Sequence, residues 1–543
     1  MNPVRSLRPA VVTVLLAVPT LVAQAPAGTL VMGLRQEPTA PIPYLGPPTT
    51  GNADVTDQLF LRLATLGPTA RTTGDRAMVP ELASRWSRVD ATTVDFTLDP
   101  RAHWQDGTPV TADDVVFTWN LIHSPELGVD LTALALIRSV TATRTGEIRV
   151  RFTEPSSEQV YTAGFLLQPL PAHLLARMPA SGIASSDFAR SPIGNGPFRF
   201  ERRVPGQSLE LRADPSFFLG MPGLKRLVFL YIPSTDAQVN ALLAGQTDVM
   251  SDVPATALGR IEKQGNYRFV TAPGNFVTYV LFNARSPGNP RLAHPILSDS
   301  LTRRALALSV DRAAIARQAF GPGVQTPRAV RSQAWFWVGG AMDAGRADTA
   351  RARAAFRAAG WVDHDGDGIL DRDGVPLRLG IIYPVQSSVF SAIAVQLQQM
   401  WRMMGVQLDL EPIDGPVWVE RRRTGRFDID IAGANQDPSP SSLAQSWSCT
   451  SAERAGSSNV GHWCDPEFDR LRDRAPTLPD PISGFRAAFT RMAAWQPAIV
   501  AAAPANRIAV HQRFEHVIVR PSKAWTSLWQ WRVRADAMLP RDR

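Results

Sequence analysis

The chain has 543 residues, of which 44% are hydrophobic and 20% are charged. This length exceeds one ordinary hydrophobic core, and the composition excludes a disordered or a membrane-embedded protein. The formal net charge is +8 at pH 7, but the basic residues, nearly all of them arginine, are interspersed with acidic ones. Such dispersion favours a solvated surface over a nucleic-acid-binding face, so no nucleic-acid partner is expected.

The first 27 residues have the pattern of a secretory signal peptide. Arg5 and Arg8 supply positive charge, residues 11–22 are apolar, and small residues follow at cleavage spacing. The alternative is a retained membrane anchor, although the apolar run is shorter than the roughly 20 residues of a spanning helix. The apolar run is not followed by a lipobox cysteine, so a lipoprotein anchor is not supported. We therefore expect export to the periplasm or the medium.

Strand and helix patterns alternate from the start of the expected mature chain. Residues 29–34 form a strand pattern, and residues 54–66 carry apolar side chains at near-helical spacing. Residues 92–98 alternate like a half-buried strand. Turn chemistry follows in residues 105–109, after which Thr111 is a natural N-cap. The sequence therefore predicts a unit of strand, turn and capped helix around residue 105.

Three blocks of sequence carry a family resemblance. They are Pro-Glu-Leu-Ala-Ser-Arg-Trp at 80–86, Trp-Gln-Asp-Gly-Thr-Pro-Val-Thr-Ala-Asp-Asp-Val-Val-Phe at 104–117 and Ser-Pro-Ile-Gly-Asn-Gly-Pro-Phe-Arg-Phe at 191–200. This series resembles the family 5 extracellular solute-binding proteins, which are dipeptide, oligopeptide and nickel receptors of ABC importers. The resemblance implies an α/β fold, a two-lobed periplasmic binding protein of type II-like architecture with an inserted extra α+β domain. The implied boundaries are 1–27 for the signal peptide, 28–66, 190–283 and 510–543 for lobe I, 67–189 for the extra domain, and 284–509 for lobe II.

The middle of the chain predicts the sheets of the lobes. Residues 228–232, 236–243 and 246–250 read as strand, helix and strand, an alternation that indicates a mainly parallel sheet covered by helices. Residues 276–283 form the next strand, whose end should face the cleft, because ligands of open α/β sheets bind beyond strand carboxyl ends. Residues 301–315 are predicted to be one helix.

An acidic segment near residue 367 resembles half of a calcium loop. Asp363, Asp365 and Asp367 alternate with other residues, and Asp371 follows, so their carboxylates can point at one centre. Position twelve of an EF-hand loop requires a bidentate glutamate, and here it is Gly374. The four aspartates are thus calcium candidates, and the alternative is an acidic hairpin turn.

The chain contains two cysteines, Cys449 and Cys464. Because the protein is expected to be exported and has no CxxC motif, we expect these cysteines to form a disulfide. Such a bridge would stabilise the fold by roughly 3 kcal/mol on the chain-entropy model. The alternative is two free, buried thiols.

The sequence lacks the motifs that mark common hydrolases and nucleotide-dependent enzymes. It has no Gly-x-Ser-x-Gly elbow, no His-Glu-x-x-His pair and no phosphate loop. A non-enzymatic protein without a cofactor is therefore expected. The alternatives from other classes are a periplasmic hydrolase and a structural protein of the cell envelope.

The resemblance also implies a ligand-binding loop around Asp437. This aspartate lies just after a predicted strand, at the position where peptide-binding relatives hold an aspartate for the α-amino group of the ligand. A buried carboxylate needs a cationic partner, and a bound ammonium group can supply it. Asn435 and Gln436 are neutral donors next to it. The alternative is an aspartate that only forms a turn before Pro438.

Further candidates for lining the site come from aromatic residues and from the interlobe crossing. Asn275 and Phe276 align with a segment that crosses between the lobes in the family. Tryptophan faces bind diverse apolar side chains at low ordering cost, although core packing is the alternative for each one. The candidate tryptophans are Trp335, Trp337, Trp418 and Trp447.

The resemblance predicts a receptor that traps a peptide between its lobes and delivers it to an ABC permease in the inner membrane. It is expected to act as a monomer. Ligand affinity for the closed form would shift the population towards the state that the permease recognises. The alternative within the family is a receptor for another small solute, such as a sugar, an opine-like compound or a nickel complex.

Overall fold

The structure is a computed structural model. It describes residues 25–46, 49–129, 131–272, 276–321, 345–435, 437–454, 457–502, 506–520 and 523–542. Most of the expected signal peptide lies outside these ranges, as do Asn275, Trp335, Trp337 and Gln436. Within the described part of the chain, we find no helix that is both long and apolar enough to cross a membrane.

Lobe I is built on a seven-stranded mixed sheet that brings together distant parts of the chain. Its central strand, Thr29–Leu34, is parallel to both of its neighbours, Arg226–Tyr231 and Val249–Met250. The other four pairings are antiparallel, so the predicted mainly parallel sheet is wrong for this lobe. In spatial order the strands are Tyr267–Ala272, Asn506–His511, Val249–Met250, Thr29–Leu34, Arg226–Tyr231, Ser208–Ala213 and Phe198–Val204.

Lobe II is built on a five-stranded mixed sheet. Arg378–Pro384 is parallel to both of its neighbours, Gln407–Ile413 and Ile429–Asn435. Phe276–Phe282 is antiparallel to both Ile429–Asn435 and Ala498–Ala502. All five residues of Ala498–Ala502 are buried, as expected of a strand covered on both faces. In spatial order the strands are Gln407–Ile413, Arg378–Pro384, Ile429–Asn435, Phe276–Phe282 and Ala498–Ala502.

Two strands lie in the opposite lobe from the one expected. Phe276–Phe282, which the expected division assigned to lobe I, belongs to the lobe II sheet. Asn506–His511 begins before residue 510, the expected start of the last lobe I segment, and is wholly part of the lobe I sheet. The chain therefore passes from lobe I to lobe II between residues 272 and 276, and returns between residues 502 and 506.

The extra domain has a four-stranded antiparallel sheet and a helix packed beside it. The helix is Ala112–Ile122, and it begins with a capping box in which Thr111 and Asp114 bond reciprocally. Asp114 also accepts a hydrogen bond from the indole Nε1 of the buried Trp104, at 3.1 Å. The predicted unit of strand, turn and capped helix is confirmed. The strands, in spatial order, are Ala83–Asp90, Thr93–Leu98, Glu147–Phe152 and Ile137–Arg144.

Two of the sequence blocks that carry the family resemblance contact each other. The side-chain amide of Gln105 donates hydrogen bonds to the carbonyls of Gly196 and Phe198, at 3.1 and 2.7 Å. Its oxygen accepts one from the amide of Gly194, at 3.0 Å. A Cβ atom at Gly194 would lie only 1.9 Å from the carbonyl oxygen of Leu59, so glycine is required there. The turn around Gln105 thus joins the extra domain to lobe I.

The helices cover these sheets, and two predictions about them are wrong. The helical pattern of residues 54–66 runs past the end of its helix, Thr50–Leu59, and residues 64–66 form a strand. Residues 301–315 form parts of two helices, because Asp311 caps the second one by accepting a hydrogen bond from the amide of Ala314, at 2.7 Å. The α-helices of the described residues are Thr50–Leu59, Ala112–Ile122, Ala172–Leu175, Ala180–Ile183, Asp187–Arg190, Thr235–Leu243, Leu258–Gln264, Ser300–Leu308, Arg312–Phe320, Thr349–Ala358, Ser388–Arg402, Gly415–Arg423, Ala444–Trp447, Cys449–Glu453, Pro466–Arg474 and Pro481–Trp495.

Short two-stranded ribbons complete the secondary structure. Asp371–Arg372 and Val375–Pro376 form the hairpin that follows the acidic segment. The other ribbons pair Ala64–Leu66 with Met78–Pro80, Arg285–Ser286 with Asn289–Ala293, and Phe514–Glu515 with Arg532–Val533.

Candidate functional site

Asp437 lies between lobe II and the extra domain. It follows the carboxyl end of the strand Ile429–Asn435, as the sequence predicts. The phenol of Tyr161, in the extra domain, donates to its carboxylate, with distances of 3.0 Å to Oδ1 and 3.2 Å to Oδ2. The backbone amide of Ser439 donates to Oδ1 at 2.7 Å. The carboxylate is therefore held both by its own loop and by the domain that it faces.

Tyr161 is a rigid donor because its own surroundings are packed. It begins a π-helical turn, Tyr161–Phe165, and is only 2% exposed. Its ring stacks on that of Phe165 at a centroid distance of 5.3 Å. The guanidinium of Arg62 lies over the ring of Phe165, at 4.9 Å. π-helical turns are rare and are found frequently at functional sites.

A second carboxylate, Glu158, lies beside Asp437 and was missed by the sequence analysis. It is 3% exposed and accepts hydrogen bonds from the hydroxyls of Thr72, Ser439 and Ser441, the Ser439 bond being 2.9 Å long. Burial raises the pKa of Glu158 and the charge of Asp437 raises it further, whereas the three hydroxyl donors oppose the rise. No sequence pattern marks this residue, because its partners come from two segments that are distant from it in the chain.

Phe276 and Asn435 are brought together at the same edge of lobe II. They are directly paired across the antiparallel strands Phe276–Phe282 and Ile429–Asn435. The ring of Phe276 covers Gly433, where an added Cβ atom would lie 2.2 Å from Cζ of the ring. This edge adjoins the point where the chain enters lobe II, as the family alignment implies for Phe276. Their contact with a ligand stays a prediction.

Trp418 is fixed by a buried acid in lobe II. Its indole Nε1 donates to Oδ1 of Asp430 at 2.7 Å, and Nε of Arg422 donates to Oδ2 at 2.7 Å. The Arg422 guanidinium also lies 4.5 Å from the ring of Trp418. Burial raises the pKa of Asp430, against the opposing charge of Arg422. Trp418 is thus held in one orientation within lobe II, and its contact with a ligand stays a prediction.

Trp447 has the environment of a core residue, the alternative considered for each tryptophan. It is 4% exposed. Its ring packs edge-on against Tyr279 and Trp463, at centroid distances of 6.4 and 6.3 Å. Such pairs stabilise a core beyond their buried area.

The expected disulfide is present and links Cys449 to Cys464. Cys449 begins a short helix, and its amide donates to Oδ2 of Asp469 at 2.8 Å. The bridge thus closes a loop of lobe II that follows the Asp437 region in the chain.

The acidic segment forms a turn in which three of the four aspartates converge. Asp363, Asp365 and Asp367 are exposed, and one oxygen from each lies within 4.8 Å of the others. Asp371 instead accepts from the amide and Nδ1 of His364, at 3.0 and 2.7 Å, and these bonds lower its pKa. Backbone amides of the same segment, such as that of Gly366, also donate to the three aspartates. These bonds are those of an acidic turn, and calcium binding stays a prediction.

Lobe I contributes its own acidic group near the strand ends. Asp252 follows the strand Val249–Met250, and burial raises its pKa while the charge of Arg35 opposes the rise. Burial raises the pKa of Asp54 to about 8, and the nearby Asp57 raises it whereas Lys523 lowers it. These residues had no sequence signal, because they are brought together from segments near the start, the middle and the end of the chain.

Comparison with known proteins agrees with this architecture. The family model described as "Bacterial extracellular solute-binding proteins, family 5 Middle" matches residues 77–455. The oligopeptide-binding protein AppA of Bacillus subtilis is 24% identical over 454 residues, which cover 80% of each chain.

Solved structures show the same fold. AppA of B. subtilis, in complex with a nonapeptide, superposes with a TM-score of 0.77 at 23% identity, covering 94% of this chain and all of AppA. NikZ of Campylobacter jejuni, in complex with Ni(L-His), gives a TM-score of 0.78 at 19% identity, covering 93% of this chain and all of NikZ. Both superpose over almost the whole of this chain, which therefore has the same fold. Because the family model matches most of this chain, the chain belongs to the family 5 bacterial extracellular solute-binding proteins.

Proposed function

We propose that this protein is the extracytoplasmic binding component of an ABC importer and that its ligands are peptides. It would capture a peptide by closure of the lobes and deliver it to a permease in the inner membrane. In this proposal, residues 1–27 are a cleaved signal peptide, and the exported protein acts as a monomer without a cofactor or catalytic activity. The family membership and the similarity to AppA support the proposal.

The observation that carries the choice of ligand is the position of Asp437. Its carboxylate follows a strand of lobe II and is turned towards Tyr161 of the extra domain. Tyr161 and the amide of Ser439 are neutral donors. A ligand ammonium placed there would add a positive charge next to Asp437 and also close to Glu158. The α-amino group of a peptide is such an ammonium.

The two crossings between the lobes support capture by closure. The chain passes between the lobe I and lobe II sheets at residues 272–276 and again at 502–506. Two lobes that are joined at only two points of the chain can rotate against each other with few changes of backbone dihedral angle. A ligand that contacts both lobes then favours the closed state by its differential affinity.

The test is peptide binding by the exported protein, measured by isothermal titration calorimetry. Trialanine and a nonapeptide serve as probes, each compared with its N-acetylated form. We expect saturable binding of the free peptides, at least about tenfold weaker binding after acetylation, and a similar loss in Asp437→Asn, because a charge pair is removed from a partly buried site. Equal affinity for acetylated and free peptides would contradict the role of Asp437.

Other ligand classes are tested in the same experiment. Saturable stabilisation by a sugar, an opine or nickel–histidine, together with no response to peptides, would replace the peptide proposal with that solute. Hydrolysis of the added peptide, followed by mass spectrometry, would overturn the proposal of a receptor without catalytic activity.

A further inference from the structure

Glu158 is satisfied by residues of two different domains. The hydroxyl of Thr72, in the extra domain like Glu158 itself, bonds to Oε1. The hydroxyls of Ser439 and Ser441, in the loop after the last lobe II strand, both bond to Oε2. A buried carboxylate costs several kcal/mol unless its lone pairs are satisfied. One oxygen of Glu158 therefore depends on lobe II for its hydrogen bonds.

The same serine links Glu158 to the proposed ligand carboxylate. The Ser439 hydroxyl donates to Glu158 at 2.9 Å, and the Ser439 amide donates to Asp437 at 2.7 Å. The amide of Ser441 donates to the Ser439 hydroxyl at 3.1 Å, which orients that hydroxyl towards Glu158. Residues 437–441 are thus linked to one another by hydrogen bonds, and together they contact Glu158 and Tyr161 of the extra domain.

We propose that Glu158 is a positioning residue for ligand capture, which binds Ser439 and Ser441 when the lobes close and thereby holds Asp437 in place for the ligand. The inference rests on the proposed function, since Glu158 acts through Asp437. The group formed by Glu158, Ser439 and Ser441 is called the interdomain latch below.

The geometry makes the latch sensitive to closure. Glu158 belongs to the extra domain and the two serines follow a strand of the lobe II sheet, so any rotation of lobe II against the extra domain separates these partners. A hydrogen bond of 2.9 Å is lost when its atoms separate by about 1 Å. Water then replaces the serine hydroxyls on the exposed carboxylate. The latch bonds therefore stabilise the closed state. In the open state the carboxylate is hydrated, so it is not left buried without hydrogen-bond donors.

A further contact joins the same two surfaces. The amide of Ser157, next to Glu158, donates to the carbonyl of Pro476 in lobe II at 2.8 Å. The extra domain thus meets lobe II through the adjacent residues Ser157 and Glu158 as well as through Tyr161, whose phenol contacts the carboxylate of Asp437 directly.

The test compares loss of the latch with loss of the local donor to the same carboxylate. Ser439→Ala combined with Ser441→Ala removes the hydroxyls that cross the interface, whereas Thr72→Val removes the donor within the extra domain. We expect the double variant to bind trialanine and the nonapeptide about tenfold more weakly, since hydrogen bonds to a charged group are the stronger kind. Thr72→Val should keep the wild-type affinity, and Ser439→Thr with Ser441→Thr should restore it. Equal losses in the alanine double variant and Thr72→Val would overturn the proposal.

A second measurement separates this inference from the proposed function. Small-angle X-ray scattering of the ligand-free proteins reports the balance between open and closed states without any peptide. The alanine double variant should have a larger radius of gyration than both wild type and Thr72→Val. This result would support the latch even if neither peptide bound. An unchanged radius of gyration, combined with unchanged peptide affinity, would overturn it.

Discussion

Two buried groups of carboxylates in this protein are stabilised in different ways. In lobe I, Asp248 and Asp542 are paired with cations: Arg513 lies 2.8 Å from Asp248 and 2.6 Å from Asp542, and Arg541 lies 2.6 Å from Asp248. In the interdomain latch, the acceptor Glu158 has hydroxyl donors instead.

The difference follows from what each group joins. The lobe I group ties the two ends of the chain together, since Asp542 also accepts from the amide of Thr29 at 2.7 Å and Asp248 accepts from Val31 at 2.8 Å. Separating these ions would leave uncompensated buried charges, so the arrangement is effectively permanent. Hydroxyl donors can be exchanged for water at small cost. Charge pairs therefore suit the interior of a lobe, and hydroxyls suit a contact that opens and closes.

The largest expected effect comes from breaking the lobe I group. Arg513, which is 1% exposed, is the cation common to both acids. Arg513→Met should lower the free energy of unfolding by about 3–5 kcal/mol, because it removes the buried cation that the two buried carboxylates share. Urea unfolding followed by circular dichroism measures this. Arg423→Met is the matched control, since its ion pair with Glu420 is exposed to solvent and contributes little to stability. Similar losses of unfolding free energy in Arg513→Met and Arg423→Met would contradict the special importance of the buried lobe I ion pairs.

The disulfide of lobe II is the next largest constraint. Replacing both cysteines, Cys449→Ser with Cys464→Ser, should destabilise the protein by about 3 kcal/mol through the entropy of the unfolded chain. Hydrogen exchange should show the loss of protection in lobe II and not around Asp248. Urea unfolding of the wild type with and without a reductant is the control. Loss of protection spread equally over both lobes would show that the lobes do not respond separately.

A pH titration extends the comparison to a third acid of lobe I, Asp54, whose pKa is raised by burial. With a folded pKa of about 8 against an ordinary 3.8, its stabilising contribution is complete below pH 3.8 and is lost as the pH rises through 8. Relative to the wild type, the melting temperature of Asp54→Asn should therefore rise steadily between pH 5 and pH 8.5.

Thermal unfolding at several pH values measures this difference. Asp187→Asn is the control, because the side chain of Asp187 is 96% exposed. The gain in stability expected for Asp54→Asn is smaller than the losses expected for Arg513→Met and for the cysteine double variant. Asp54 is only partly buried, and the charge of Lys523 lies near it. A difference between Asp54→Asn and wild type that stays constant from pH 5 to 8.5 would contradict the raised pKa.

The smallest expected effect on stability comes from Tyr161. Tyr161→Phe removes the hydroxyl that donates to Asp437 and keeps the ring that stacks on Phe165. The free energy of unfolding should fall by about 1 kcal/mol or less, the usual value of one hydrogen bond. Peptide affinity should fall more clearly than stability, as calorimetry with trialanine would show. A loss of stability larger than that of Arg513→Met would reverse the comparison of the two groups.

Local features of this fold were predictable because their causes are local. The Thr111 cap, the strand around residues 93–98 and the disulfide follow from neighbouring residues or from the expected compartment. The break at Asp311 was missed because the apolar pattern continues through it, although aspartate is a strong N-cap. Sheet membership was predicted less well. Nothing local distinguishes a strand at 276–282 that pairs with residues 429–435 from one that pairs with residues 29–34.

The sequence by itself determined the family, the order of most elements and the position of Asp437 just after a strand. The tertiary structure alone decided which sheet each crossing strand joins, and it decided that Asp437 faces Tyr161 and lies beside Glu158. The physical reason is range. Caps, turns and periodicity act within a few residues, whereas Glu158 and Ser439 are separated by 281 positions and become neighbours only through packing of the domains. A carboxylate satisfied by hydroxyls from a distant loop leaves no pattern in the sequence around it.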